Sequence, residues 1–223
     1  MRPSRPFPCA VCLLAAALVL ARPVAADESD LVKVNQGYAA YASGDFATAR
    51  AIWEPLANQG DGWAQYYMGL MYEAGQGVPR DDRAALDWYL KAANSRQRFV
   101  EGSRLIGHPD AKFRAGLFHY LGRGTEPDPY KAFNLWSSAG GRGHAEALYN
   151  LAVLMETSED RKLQSDRLAW EYYHLAAEQG HPEALAQRDR LGGRLSENEI
   201  REAREAAARE RQRMGIPAQV AVP

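Results

Sequence analysis

The groups in this sequence that could carry chemistry are five histidines, 28 acidic residues and two cysteines. Three of the histidines stand at matching places, in Gly107-His108-Pro-Asp-Ala111, Gly143-His144-Ala-Glu-Ala147 and Gly180-His181-Pro-Glu-Ala184. Zinc takes nitrogen ligands about 2.0–2.1 Å away, whereas equivalent residues on stacked helices lie roughly 8–10 Å apart. Three such positions do not share one ion, so punctuation between structural units is the better reading. His119 falls on an apolar stripe and His174 follows a tyrosine pair. There is no His-Glu-x-x-His and no Gly-x-Ser-x-Gly. Gly75-x-Gly77 and Gly122-x-Gly124 lack the third glycine and the preceding strand of a dinucleotide loop. Asp81 and Asp82 are adjacent, but turn and cap roles account for them; a glycosidase pair needs carboxylates about 5–9.5 Å apart across a cleft. The sequence therefore predicts no enzyme, no cofactor and no bound metal.

The ends narrow the field further. Arg2 and Arg5 precede an uncharged run of 12 residues, Ala10 to Ala21, and small residues at Val24-Ala25-Ala26 follow. That order is the layout of a secretory signal peptide over residues 1–26. The run is too short for a membrane span, which needs roughly 20 apolar residues. Removing the segment deletes Arg2, Arg5 and Arg22, taking Lys+Arg from 27 to 24 against 28 Asp+Glu, a formal charge near −4. Such a chain has no basic footprint for nucleic acid. Cys9 and Cys12 also leave with the leader, so the mature chain offers no thiol ligand, nucleophile or disulfide. A periplasmic or secreted location is expected, with no stable membrane span after cleavage.

The elements that must position everything else come from an internal repeat. Ala64-Gln-Tyr-Tyr-Met-Gly69-Leu-Met-Tyr72 aligns with Ala111 to His119 and with Ala147 to Met155, the starts lying 47 and 36 residues apart. The surplus of 11 in the first interval sits in Ser95 to Leu105. A second signature runs in step: Ala49-xx-Ile52-Trp53-xx-Leu56-Ala57, Ala85-xx-Trp88-Tyr89-xx-Ala92-Ala93, Ala132-xx-Leu135-Trp136-xx-Ala139-Gly140 and Ala169-xx-Tyr172-Tyr173-xx-Ala176-Ala177. Each copy reads as helix, short glycine turn, helix. Ala64, Met68 and Tyr72 make one apolar stripe on the first helix, and Gly69 beside it lets the partner helix approach. On the second helix, rings face small residues. Asp81 or Asp82, and Asp128, are placed to cap second helices. One hairpin cannot bury such faces alone, so neighbours must stack.

The motif Ala-xxxx-Gly-xx-Tyr-xx-Gly-x-Gly-Val-xx-Asp over Ala64 to Asp81, followed by the Ala85 to Ala93 signature, resembles the Sel1-like repeat, a relative of the tetratricopeptide repeat with a longer connecting loop. The likeness runs over roughly residues 35–195. It departs where Ser158 and Asp160 replace the loop glycines, and where His119 and Met155 replace Tyr72. The resemblance implies an all-α, right-handed α-solenoid with a concave face used for partners, and exported members that serve as scaffolds, regulators or host-binding factors. The expected layout is a tetratricopeptide-like hairpin at 27–62, then repeats at 63–94, 108–142, 144–179 and a partial one at 181–194. An insertion occupies 95–106, a capping helix 195–214 and a frayed tail 215–223.

The expected function is a non-catalytic module for a protein or peptide partner in the cell envelope; the competing reading is an enzyme or carrier for peptidoglycan-type or β-lactam-type ligands. Slots that keep their position but change chemistry are the candidates for contact. Three residues after the first alanine stand Tyr67, Arg114 and Asn150, off the apolar stripe and expected to face the groove, with Lys112 and Glu73 nearby by helical spacing. The insertion supplies Arg96, Arg98 and Phe99, either as a binding loop or as a longer second helix.

Overall fold

The computed structural model describes residues 28–95 and 108–214. The leader, the tail, and Arg96, Arg98 and Phe99 of the insertion lie outside the described residues. Among the described residues all regular structure is α-helical: α1 Glu28–Ala42, α2 Phe46–Asn58, α3 Gly62–Ala74, α4 Asp82–Ala93, α5 Pro109–Leu121, α6 Pro129–Gly140, α7 Ala145–Thr157, α8 Asp166–Glu178, α9 Ala184–Gly192 and α10 Glu197–Met214. Each of α1 to α8 packs against the next in the chain, and α10 turns back onto α8. The repeats are α3/α4, α5/α6 and α7/α8, called copies 1, 2 and 3 below.

The hairpin geometry follows from the turn residues. Gly75 and Gly122 end α3 and α5 in the left-handed region (φ 70° and 68°), where a glycine carries no side-chain penalty. The chain then closes on itself, with the Asp81 amide donating to the Tyr72 carbonyl (3.0 Å) and the Asp128 amide to that of His119 (2.7 Å). Asp81, not Asp82, caps α4, accepting from the Arg83 and Ala84 amides, and Asp128 caps α6. Copy 3 takes another path with one more residue. Ser158 is extended (ψ 133°), its hydroxyl accepts from the Asp160 amide, and Ser165 makes the closing bond to the Met155 carbonyl and caps α8. Two polar side chains there do the work of two glycines.

Rings against absent side chains make the core. A Cβ on Gly69 would lie 2.5 Å from the Tyr89 ring, and one on Gly116 2.5 Å from the Trp136 indole. The Trp136 and Trp53 indole N–H groups donate to the Phe113 and Val34 carbonyls, both at 3.1 Å, so burial leaves no orphan donor. In the adjacent pairs Trp88–Tyr89, Leu135–Trp136 and Tyr172–Tyr173 of the second helices, the second member is the buried ring: Tyr89, Trp136 and Tyr173 are at most 2% exposed. Trp88 and Tyr172, expected in the same core, are half-buried. One step of helix rotation separates the two roles.

Candidate functional site

Helices α5, α7 and α9 follow the histidine junctions, and those histidines are joints between copies. His108 stacks on Tyr66 (4.6 Å between centroids, 14° between planes), His144 on Phe113 (4.9 Å, 29°) and His181 on Tyr149 (4.0 Å, 9°). Tyr66, Phe113 and Tyr149 each stand two residues after the first alanine of their copy. An acid of the preceding copy also reaches forward, Asp110 to His144 (3.1 Å) and Glu146 to His181 (3.3 Å). In copy 1 that acid position is Trp63, whose ring packs edge-on against His108 at 4.1 Å. Burial drives His108 down to about 4, against the opposing pull of Asp110 at 3.4 Å. This role went unread in the sequence, although the recurring ring two places after each first alanine signalled it.

A charged cluster crosses the joint between copies 1 and 2. Glu73 accepts from the Tyr89 hydroxyl (2.5 Å) and from Arg123 (2.8 Å), with Arg114 at 3.6 Å. Arg123 also grips Asp82 (2.8 Å) and lies over the Phe118 ring. The guanidinium of Arg123 holds the Asp82 carboxyl down at about 2. The turn of copy 2 fits closely here: a Cβ on Gly124 would sit 2.6 Å from the Arg83 backbone nitrogen. In copy 3 the corresponding turn instead receives a hydrogen bond from the Tyr130 hydroxyl to Asp160 (2.5 Å).

These contacts revise several sequence expectations. Lys112 does not face a groove; it is 7% exposed and donates to the Ser138 hydroxyl (2.7 Å) inside its own hairpin. The reason is its place one step from Ala111, which turns it toward α6. Glu73 is held in the ion cluster, its side chain 15% exposed. Tyr67 does not point freely outward: it lies flat on Trp53 (4.5 Å, 12°) and beside Trp63 and Tyr38, leaving one edge half-exposed. Arg114 keeps 36% of its side chain exposed, and Asn150 is half-buried on α7. Tyr67, Arg114 and Asn150 thus occupy one slot on three successive first helices. Among the described residues no group of three or more His, Cys, Asp or Glu is placed to hold a metal ion, and no helix is long and apolar enough to cross a membrane.

Stacked helical hairpins joined in this manner define a right-handed α-solenoid of tandem repeats. Residues 64–96, 109–144 and 145–181 match the Sel1 repeat family, and the chain is a Sel1-repeat protein. It is similar to the Sel1 repeat protein from Oxalobacter formigenes, with 27% identity and a TM-score of 0.59 over 70% of this chain and 59% of that one. It shares its fold with c5321, a protective antigen present in uropathogenic Escherichia coli strains displaying an SLR fold, at 24% identity and a TM-score of 0.61 over 83% of this chain and 38% of that one. The chain therefore spans about three fifths of the first structure's length and less of the second. No curated protein matches it. Sel1 repeats are typically protein-interaction modules, and the fold is generally a non-catalytic scaffold.

Proposed function

We propose that this chain is an exported protein-interaction module of the bacterial cell envelope, acting as scaffold or regulator, and that it binds a protein or peptide along the face of its first helices. One observation carries the reading. The slots flanking Tyr67, Arg114 and Asn150 are engaged in core or joint, while this slot, though it touches both, keeps a half-buried ring, a guanidinium with 36% of its side chain exposed and a half-buried amide in line on α3, α5 and α7. Invariant slots build the rod, and a variable slot is where a partner can be distinguished. Export through the leader at residues 1–26 supports an envelope location.

The test is cross-linking in the native envelope followed by mass spectrometry, with Arg114→Ala/Asn150→Ala alongside the parent chain. The double variant should lose the cross-linked partner while its thermal melt stays within a few degrees. Retention of the same partner by the double variant would remove the assignment of this face. For export, cell fractionation and N-terminal sequencing should find a chain beginning at Asp27 outside the cytoplasm; an intact Met1 chain in the cytoplasm would refute it.

A further inference from the structure

Copy 2 is missing a piece that copy 1 has. In copy 1, Tyr72 at the end of α3 and Trp88 on α4 both pack against the ring cluster around Trp53. The matching positions of copy 2 are His119 and Leu135, so both rings are replaced by smaller groups at once. Copy 3 keeps one ring, with Met155 and Tyr172. Where copy 2 lacks both, the surface carries a depression of about 320 Å³ lined by Leu90, His119, Lys131, Asn134 and Leu135. That is at the small end of ligand-sized pockets, roughly 300–1,000 Å³. It lies between α4, α5 and α6, apart from the Tyr67/Arg114/Asn150 slot.

Its chemistry is specific. Leu90 and Leu135 give apolar walls. His119 is 6% exposed, and its Nδ1 is buried with no hydrogen-bond partner among the described residues. Buried polar atoms in folded proteins are otherwise nearly always paired. Burial and the Lys131 charge both push the His119 imidazole below its ordinary range, so at neutral pH the ring is uncharged and can accept one hydrogen bond. Lys131 stands at the rim with 62% of its side chain exposed, 3.3 Å from Asp128. A pair that exposed is weak and readily exchanged for another carboxylate.

We propose that this depression is a binding pocket for a phenol-type aromatic side chain of a partner protein, with a carboxylate next to it in the partner. The ring occupies the volume that Tyr72 and Trp88 fill in copy 1, its hydroxyl donates to the His119 imidazole, and the carboxylate pairs with Lys131. An aromatic anchor seated in a pocket is the usual way a small contact contributes a large share of affinity. The pocket does not depend on the first-helix face, and its test uses no protein partner.

The probe is 3-(4-hydroxyphenyl)propionate, titrated into the isotope-labelled full chain, with tyramine as the counterpart carrying the opposite charge. Amide and imidazole NMR shifts of Leu90, His119, Asn134 and Leu135 should move together and saturate with the acid. Lys131→Gln should weaken binding several-fold. His119→Tyr/Leu135→Trp, which installs the copy 1 pair, should abolish the shifts while leaving the melting temperature equal or higher; Leu135→Trp alone is the second filling variant, and it should abolish most of them. Shifts scattered over the chain, shifts that survive in the double variant or stay undiminished in Leu135→Trp, or tyramine binding as well as the acid would overturn the proposal.

Discussion

Copies 1 and 3 share a polar joint that copy 2 replaces with rings. Nine residues after the first alanine, copies 1 and 3 have Glu73 and Glu156, and copy 2 has Tyr120. Each glutamate accepts a hydroxyl from the buried ring of its second helix, Tyr89 at 2.5 Å and Tyr173 at 3.0 Å. Each then collects two arginines from the next copy, Arg114 and Arg123 on Glu73, Arg190 and Arg194 on Glu156. In copy 2 the second-helix ring is Trp136, which offers no hydroxyl, and Tyr120 tilts against it at 5.5 Å. The pair changes together: a carboxylate requires a phenol, and a ring is met by an indole. A repeat thus fixes where its joints lie without fixing whether they are held by charge or by apolar contact, and the two kinds should fail under different conditions.

The strongest way to break that contrast is at the apolar joint. Trp136→Ala removes a ring that is 1% exposed and empties the notch over Gly116, so a loss of roughly 3–5 kcal/mol is expected. Because no charge is removed, the loss measured by urea denaturation should be the same at low and high salt. A salt-dependent loss would mean that the ion cluster around Arg123 is being disturbed as well. Unfolding of the variant should also become less cooperative, since the change sits mid-stack where neighbouring copies must support one another.

The histidine joints give a second handle, with a definite sign. His108 is held near 4 by burial and His174 is lowered to about 4 by burial together with Arg188, Arg204 and Arg211. Between pH 6.5 and 4 the unfolded chain binds protons at these rings that the folded chain refuses, so stability falls as pH falls through that window. For His108 the full effect is on the order of 3 kcal/mol. His108→Phe and His174→Gln should each remove part of this pH dependence over the same window, read from urea midpoints at pH 7 and pH 4.5. Asp82 behaves oppositely in position though not in sense: its depressed carboxyl, about 2, gives stability that is present above about pH 4 and lost as pH falls toward 2. Its removal should leave the higher window unchanged.

The polar joints should yield to salt. Glu156→Gln leaves Arg190 without its acid and Arg194 with Asp166 alone at 3.5 Å, but both arginines are half-exposed, so about 1–2 kcal/mol is expected in place of the larger cost of a fully buried charge. The variant should lose part of the parent chain's salt dependence, with the rest remaining at Glu73. Equal salt dependence in parent and variant would show that the rear joint is held by the Tyr173 bond alone.

How much of this was legible in the sequence depended on whether a residue acts inside its own copy. The helix pairs, the turn glycines and the Gly69 notch follow from local periodicity and backbone preference, and all lie within one hairpin. Asp81 against Asp82 was left open by spacing and decided only when Asp82 met Arg123 from the next copy. Lys112 was misplaced because helical spacing names a face but not the neighbour that covers it. Tyr67 was read as outward because the stripe Ala64/Met68/Tyr72 marks one core face, while α1 and α2 cover a second side of the same helix. The stacking histidines required two copies to be considered together, as did the Glu–Tyr and Tyr–Trp exchange. The substitution of Ser158 and Asp160 for glycine was visible, but the extra residue that lets an extended Ser158 still reach the closing bond was not.

The smallest effect is expected at the far end of the stack, and it tests whether α10 is part of a joint at all. Ser196 and Glu199 form a reciprocal box at the start of α10: the serine hydroxyl accepts from the Glu199 amide, and the glutamate accepts from the Ser196 amide at 2.8 Å. Of the residues of α10, only Ala203 and Ala207 are buried, and Arg211 anchors the other end to Glu178 at 2.6 Å. A helix held by two buried alanines, the partly buried Ile200 and Met214 and one ion pair should open on its own before the stack does. Ser196→Ala is therefore expected to cost about 1 kcal/mol, seen as faster amide exchange in the first turns of α10 with α3 to α8 unchanged. Faster exchange spreading through α8 would show that α10 supplies a joint of the same rank as those at Glu73 and Glu156, and the rod would then end one helix later than its repeats do.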